Sequence, residues 1–260
     1  MRPQNTLMIN TATVKIAVVL IILSSFVLPA NAQRGNQQDE KPENLQVLPE
    51  TMTMQQVRRV MFQFTGALGV RCSYCHVGEE GKPLSTYDFV SDDVEAKETT
   101  RSMMRMVSAI NKDHIEQLPN GEERIQVNCQ TCHHGIAKPE LLEDVLADHL
   151  SENSIEETLA YYETLKDKYY GGFSYNFQEK TLNDLSQRFL AMQDTEVAMA
   201  FLELNLGMYP NSADAYALMG QAHLMQENQE AAIENLEKSL ELNPNNRRVK
   251  AQLDELKGDQ

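Results

Sequence analysis

All four cysteines of this 260-residue chain fall in two copies of one five-residue pattern, Cys72-Ser-Tyr-Cys75-His76 and Cys129-Gln-Thr-Cys132-His133. C-x-x-C-H is the attachment sequence of c-type haem: its two thiols reach the two vinyl groups of one porphyrin, and the adjacent imidazole sits beneath the iron. A pair of disulfides would give the histidine after each pair no reason to be there. A four-cysteine zinc site would have to span the 53 residues between the pairs, longer than the usual ribbon spacing. A thioredoxin-like centre needs one motif in a βαβ setting, whereas this region reads as helical. The expected cofactors are therefore two covalently bound haem c groups, held by Cys72, Cys75, Cys129 and Cys132, with His76 and His133 as iron ligands.

The N-terminus carries a processing signal. Arg2 and Lys15 flank a polar start, residues 16–28 are almost purely apolar, and Pro29-Ala30-Asn31-Ala32 closes on Ala-x-Ala. An apolar core of 13 residues is short of the roughly 20 that a spanning helix needs. Residues 1–32 are expected to be a signal peptide cut after Ala32, which predicts an exported, periplasmic or envelope-associated protein. The net charge of −15 becomes −17 once Arg2 and Lys15 are removed. Residues 33–140 hold 16 acidic and 12 basic side chains and residues 141–260 hold 22 and 9, so the acidity is concentrated in the second half. Such a field repels phosphates and argues against nucleic acid as a partner.

Residues 33–47 are polar, with Gly35 and Pro42, and read as a flexible linker. In the next stretch, residues 48–140, Thr53-Met-Gln-Gln56 has capping-box form. Met54, Val57, Met61, Phe64 and Leu68 follow at helical spacing and lead toward Cys72. A second helix is expected from Asp92, with Glu95 three residues on. Met103, Met106, Val107 and Ile110 form its apolar stripe, and it should end before Pro119-Asn120-Gly121.

Residues 141–260 contain a repeat of period 34. Aligning 179–212 with 213–246 superposes Ala198 on Ala232, Leu202 on Leu236, Leu206 on Leu240 and Pro210 on Pro244. This resembles the tetratricopeptide repeat, a helical hairpin that must stack on its neighbours to bury its apolar face. A preceding helical pair is expected within 141–170 and a closing helix within 248–257. The fold class is all-α: a helical multihaem cytochrome c domain over 48–140, then a tetratricopeptide-like stack of hairpins over 141–260, the latter a surface for a protein partner.

Three ordered segments carry a family resemblance. They are Leu68-Gly69-Val70-Arg71 before the first motif, Arg105-Met106-Val107 with Asn111, and the second motif with its continuation His134-Gly135-Ile136-Ala137-Lys138-Pro139. Together they resemble the cytochrome subunit of bacterial photosynthetic reaction centres, in which four haems each lie along a helix preceding the attachment motif. The resemblance implies one-electron transfer between a redox donor and acceptor, and a place in a membrane electron-transfer complex. It also implies methionine as sixth iron ligand, which favours the ferrous state. Met61 stands where the family has a ligand methionine, and Met106 matches the Arg-Met-Val segment for the second haem, with Met103, Met104, His114 and His134 as competing donors. Other readings of the residues are a dihaem peroxidase with one open iron position and a repeat-based scaffold.

Overall fold

The computed structural model describes residues 41–119 and 125–258. The expected cleavage site at Ala32 and residues 33–40 of the linker lie outside them. The chain divides into two compact units, residues 1–59 and 60–260; the described part of the first is residues 41–59. Helices make up the fold, and the sole strand-like feature among the described residues is one antiparallel bridge, Val77 to Asp88. No helix among the described residues is long and apolar enough to cross a membrane.

Helix α1 (Met54–Leu68) starts where the capping box places it. The Thr53 N–H donates to Gln56 Oε1 at 2.8 Å, and the Gln56 N–H donates to Thr53 Oγ1 at 3.3 Å. Val57, Met61, Phe64 and Leu68 form a half-buried stripe. The helix ends because Gly69 takes a positive φ of 66°.

Helix α2 (Glu95–Ala109) begins three residues later than expected from Asp92, with Val94 at the cap position and no capping side chain. The Asp92 carboxylate instead binds Lys97 at 3.0 Å and Arg101 at 2.9 Å. Two cations on the first turns of α2 outcompete a single backbone N–H for that carboxylate. Helical backbone continues through a π-turn at Ile110–His114 and a 3-10 turn at Ile115–Gln117, ending ahead of Pro119 as the sequence predicts.

Short helix α3 (Cys129–His133) contains the second motif itself and is followed by three helical hairpins and a final helix. Helices α4 (Leu142–Glu152) and α5 (Ile155–Tyr169) form the expected preceding pair. Helices α6 (Glu179–Ala191) and α7 (Thr195–Met208) are repeated by α8 (Ala213–Met225) and α9 (Gln229–Leu242), with all four boundaries offset by the 34-residue period. Helix α10 (Arg247–Gly258) closes the stack.

Packing follows the repeat. Ala198 and Ala232, and Leu202 and Leu236, are fully buried at equivalent positions. The crossing of α8 and α9 depends on Gly220, where an added Cβ would lie 2.8 Å from Leu236 Cδ2. The largest buried apolar cluster joins α4 to α7 through Leu142, Leu146, Tyr162, Leu185 and Phe201, and two smaller clusters continue into α10. Every such cluster lies beyond residue 141.

Candidate haem-attachment sites

The first motif occupies a 3-10 turn, Cys72–Tyr74, in which the Cys75 and His76 N–H groups both donate to the Cys72 carbonyl, at 3.3 and 3.0 Å. This tight turn places Cys72, Cys75 and His76 on one short arc. Cys75 Sγ lies 3.8 Å from Thr100 Oγ1, which sets α2 against the motif. After His76 the chain makes a loop that returns at Asp88, whose N–H donates to the Val77 carbonyl at 2.8 Å. The Asp88 carboxylate accepts from the N–H groups of Val90 and Ser91, both at 2.9 Å. The loop brings the Phe89 ring edge-on to the His76 imidazole, with centroids 4.9 Å apart.

Burial, then the nearby cations of Lys97 and Arg101, pushes the His76 imidazole below its ordinary pKa, while burial pushes the Cys75 thiol up. His76 Nδ1 is buried and has no hydrogen-bond partner.

The second motif is started by a capping box. The Thr131 N–H donates to Asn128 Oδ1 at 3.2 Å, and the Asn128 N–H donates to Thr131 Oγ1 at 3.0 Å. The strand of chain before it is clamped to the π-turn by Asn111, whose amide donates to the Val127 carbonyl at 2.7 Å and accepts from the Val127 N–H at 2.8 Å. The helix stops at His134, held at a φ of +47° with its carbonyl accepting from Ser174 Oγ at 2.7 Å. His133 Nδ1 is 2.9 Å from the Ile136 carbonyl oxygen. A carbonyl can only accept, so Nδ1 carries the proton and Nε2 keeps its lone pair for a metal. Burial raises the Cys129 thiol above its ordinary pKa.

The four cysteines form no disulfide with one another. Among the described residues no group of three His, Cys, Asp or Glu side chains converges as if on a metal ion. What this region has instead is uncovered apolar surface. Ala67 and Ile136 are its buried apolar side chains, whereas Phe62 (68% exposed), Tyr74, Phe89, Met103 and Met106 are open. A flat, largely apolar prosthetic group fits such a surface better than water does. The two motifs are visible in the sequence, whereas the contacts that support them are not all so. The Asn128-x-x-Thr131 cap could have been read from its pattern. Lys97 Nζ donates to the carbonyls of Phe89, Val90 and Ser91, and like the Asn111 bonds to Val127 this has no signal in the sequence because the partners are backbone groups outside the helix.

The methionines separate by face. Along α2 the half-buried residues Thr100, Met104 and Val107 share one stripe, which touches the first motif through Thr100. Met103 (40% exposed) and Met106 (46% exposed) share a second stripe, with Met106 about 160° around the axis from Met104. Met61 lies half-buried in the stripe of α1. His114 is exposed in the π-turn and His134 is exposed beyond α3.

A family model described as the photosynthetic reaction centre cytochrome C subunit matches residues 9–239. That span is wider than the 48–140 marked by the motifs and reaches into α9. The chain is 38% identical over 98 residues to cytochrome c-554 of Chloroflexus aurantiacus, covering 37% of this chain and 21% of that protein. It is 34% identical over 92 residues to the photosynthetic reaction center cytochrome c subunit of Rubrivivax gelatinosus, covering 31% and 23%. The aligned stretch thus spans about a fifth of these relatives' own length. Among solved structures, the first TPR domain of RPAP3, bound to an HSP90 peptide, aligns with 45% of this chain and 89% of its own at 18% identity and a TM-score of 0.33. An all-α fold with paired C-x-x-C-H motifs is that of a c-type cytochrome. The chain belongs to the photosynthetic reaction centre cytochrome c subunit family.

Proposed function

We propose that this protein is an exported dihaem cytochrome that passes single electrons between a redox donor and acceptor. Covalently bound haem supplies a one-electron ferric/ferrous couple. In this reading Cys72 and Cys75 anchor one group and Cys129 and Cys132 the other. His76 and His133 each present a ring nitrogen to iron. Met61 on α1 and Met106 on the open stripe of α2 supply the sixth ligands. Met106 is preferred to Met104 because Met104 shares a face with Thr100 and the first motif.

The observation that carries this reading is the His133 hydrogen bond to Ile136. It fixes the tautomer and ring orientation of an axial ligand, a support that metal-binding histidines characteristically have. The hairpin stack serves in this account as the surface that docks a protein partner. Helices α6, α8 and α10 line a groove of about 650 Å³ in which carboxamides such as Gln187, Gln221 and Gln252 can bond an extended main chain. The test is a visible spectrum with redox titration of protein matured in a host that attaches c-type haem. Two low-spin components with separate midpoints support the reading; a high-spin ferric species that binds cyanide favours the peroxidase.

A further inference from the structure

We infer that Lys97 holds the first haem above the second in reduction potential, by fixing a positive charge and the Phe89 loop against His76; this rests on the dihaem reading above. Lys97 Nζ donates to three consecutive carbonyls, Phe89 at 3.0 Å, Val90 at 3.1 Å and Ser91 at 2.6 Å, and pairs with Asp92 at 3.0 Å. An ammonium has three donors, so this one is fully engaged by the loop. Its side chain is 12% exposed and cannot swing into solvent without releasing the loop that carries Phe89 to the His76 ring.

Arg101 lies one turn further along the same face of α2, next to Thr100 and its contact with Cys75. The acidic groups around these cations are Asp88, Asp92 and Glu98. Arg105, itself half exposed, shares Glu98, and the two cations nearer the motif, Lys97 and Arg101, are more deeply buried than Asp92 and Glu98. The Arg101 side chain is 8% exposed, whereas Asp92 and Glu98 are 42% and 53% exposed, so water screens the carboxylates more than the cations. A buried cation near the imidazole that would hold the iron would oppose the ferric charge and favour the ferrous state.

The second site has the opposite arrangement. The His133 Nδ1–H bond to the Ile136 carbonyl makes its imidazole a stronger donor to ferric iron, and His76 Nδ1 has no such partner. Lys138, five residues past His133, is exposed and pairs with Glu140 at 2.5 Å. Both differences push the two potentials in the same relative direction.

The experiment is a potentiometric titration of the full mature holoprotein, with haem counted by intact mass on the same samples. Lys97→Gln is expected to lower the higher midpoint by a tenfold change in its one-electron equilibrium, about 59 mV, and to leave the lower midpoint in place. Lys97→Arg, which keeps the charge, restores the wild-type value. Asp92→Asn, at an exposed carboxylate, raises the same midpoint, a sign reversal that a merely structural role for the loop does not produce. Unchanged midpoints in a dihaem Lys97→Gln protein, or movement of the lower one instead, overturn the inference. If Lys97→Gln does not mature, Asp92→Asn decides: a rise in the higher midpoint supports the assignment, and no change or a fall contradicts it. A wild-type haem count other than two overturns the dihaem reading, and this inference with it.

Discussion

The Gly135 N–H donates to the Ala67 carbonyl at 2.8 Å, so the chain leaving the second attachment motif is tied to the last turn of the helix that leads into the first. The approach is close enough that Gly69 has no room for a side chain. A Cβ on Gly69 would lie 2.0 Å from the Gly135 carbonyl oxygen, and both residues have positive φ, 66° and 89°. Two motifs 53 residues apart in sequence therefore share one backbone junction.

Gly69→Ala is expected to destabilise the protein by at least about 1 to 3 kcal/mol, because the new Cβ meets backbone rather than a movable side chain. Both haem spectra should be disturbed, since the junction serves both motifs. Gly207→Ala is the control: no atom lies within 4 Å of its added Cβ, and removing a helical glycine should stabilise by roughly 0.5 to 1 kcal/mol. Thermal unfolding of the two variants side by side checks the contrast.

Asn111→Leu should lower haem occupancy at Cys129 and Cys132 while leaving the first motif loaded. The substitution removes two hydrogen bonds to Val127, each contributing roughly 0.5 to 1.5 kcal/mol, and frees the segment entering α3. Intact mass resolves species carrying one haem from those carrying two. Equal loss at both motifs would show that Asn111 supports the whole region rather than the second site.

Much of this architecture is legible from residue spacing alone. The four repeat boundaries fall 34 residues apart even though the first copy is degenerate, with Phe189 where the second has His223. Buried small residues at Ala198 and Ala232 set that geometry, and small size at a fixed period is visible in a sequence. The start of α2 is not, because Asp92 has the right chemistry for a cap and the structure uses it on Lys97 and Arg101. Nor is the junction of Gly69 with Gly135, for a glycine reports freedom of φ without saying which backbone comes near. The two motifs and the Asn128-x-x-Thr131 cap are legible because they are local; the bonds of Asn111 to Val127 and of Gly135 to Ala67 are not, because they are tertiary.

The hairpin stack gives a test independent of haem. Gly220→Ala should cost about 1 to 3 kcal/mol by overpacking against Leu236, and Leu236→Ala about 2 to 5 kcal/mol by opening a cavity. The double variant should cost less than the sum, since the smaller Leu236→Ala side chain makes room for the new methyl. Additive costs in denaturant unfolding would mean that the helices shift apart instead.

Met61→His should lower one midpoint while keeping the iron low-spin, because imidazole donates more strongly to ferric iron than a thioether does. Met106→Ala should turn the other iron high-spin or recruit Met103 from the same stripe. An intact spectrum with both midpoints in place would show that Met106 is not an iron ligand.

The central claim is that each C-x-x-C-H motif holds one haem through thioether bonds, and the intact mass of the mature protein under denaturing, reducing conditions tests it most directly. The account predicts the polypeptide from Gln33 onward plus two haems, with no thiol open to alkylation. A mass equal to the bare polypeptide, with Cys72, Cys75, Cys129 and Cys132 all alkylated, would contradict it.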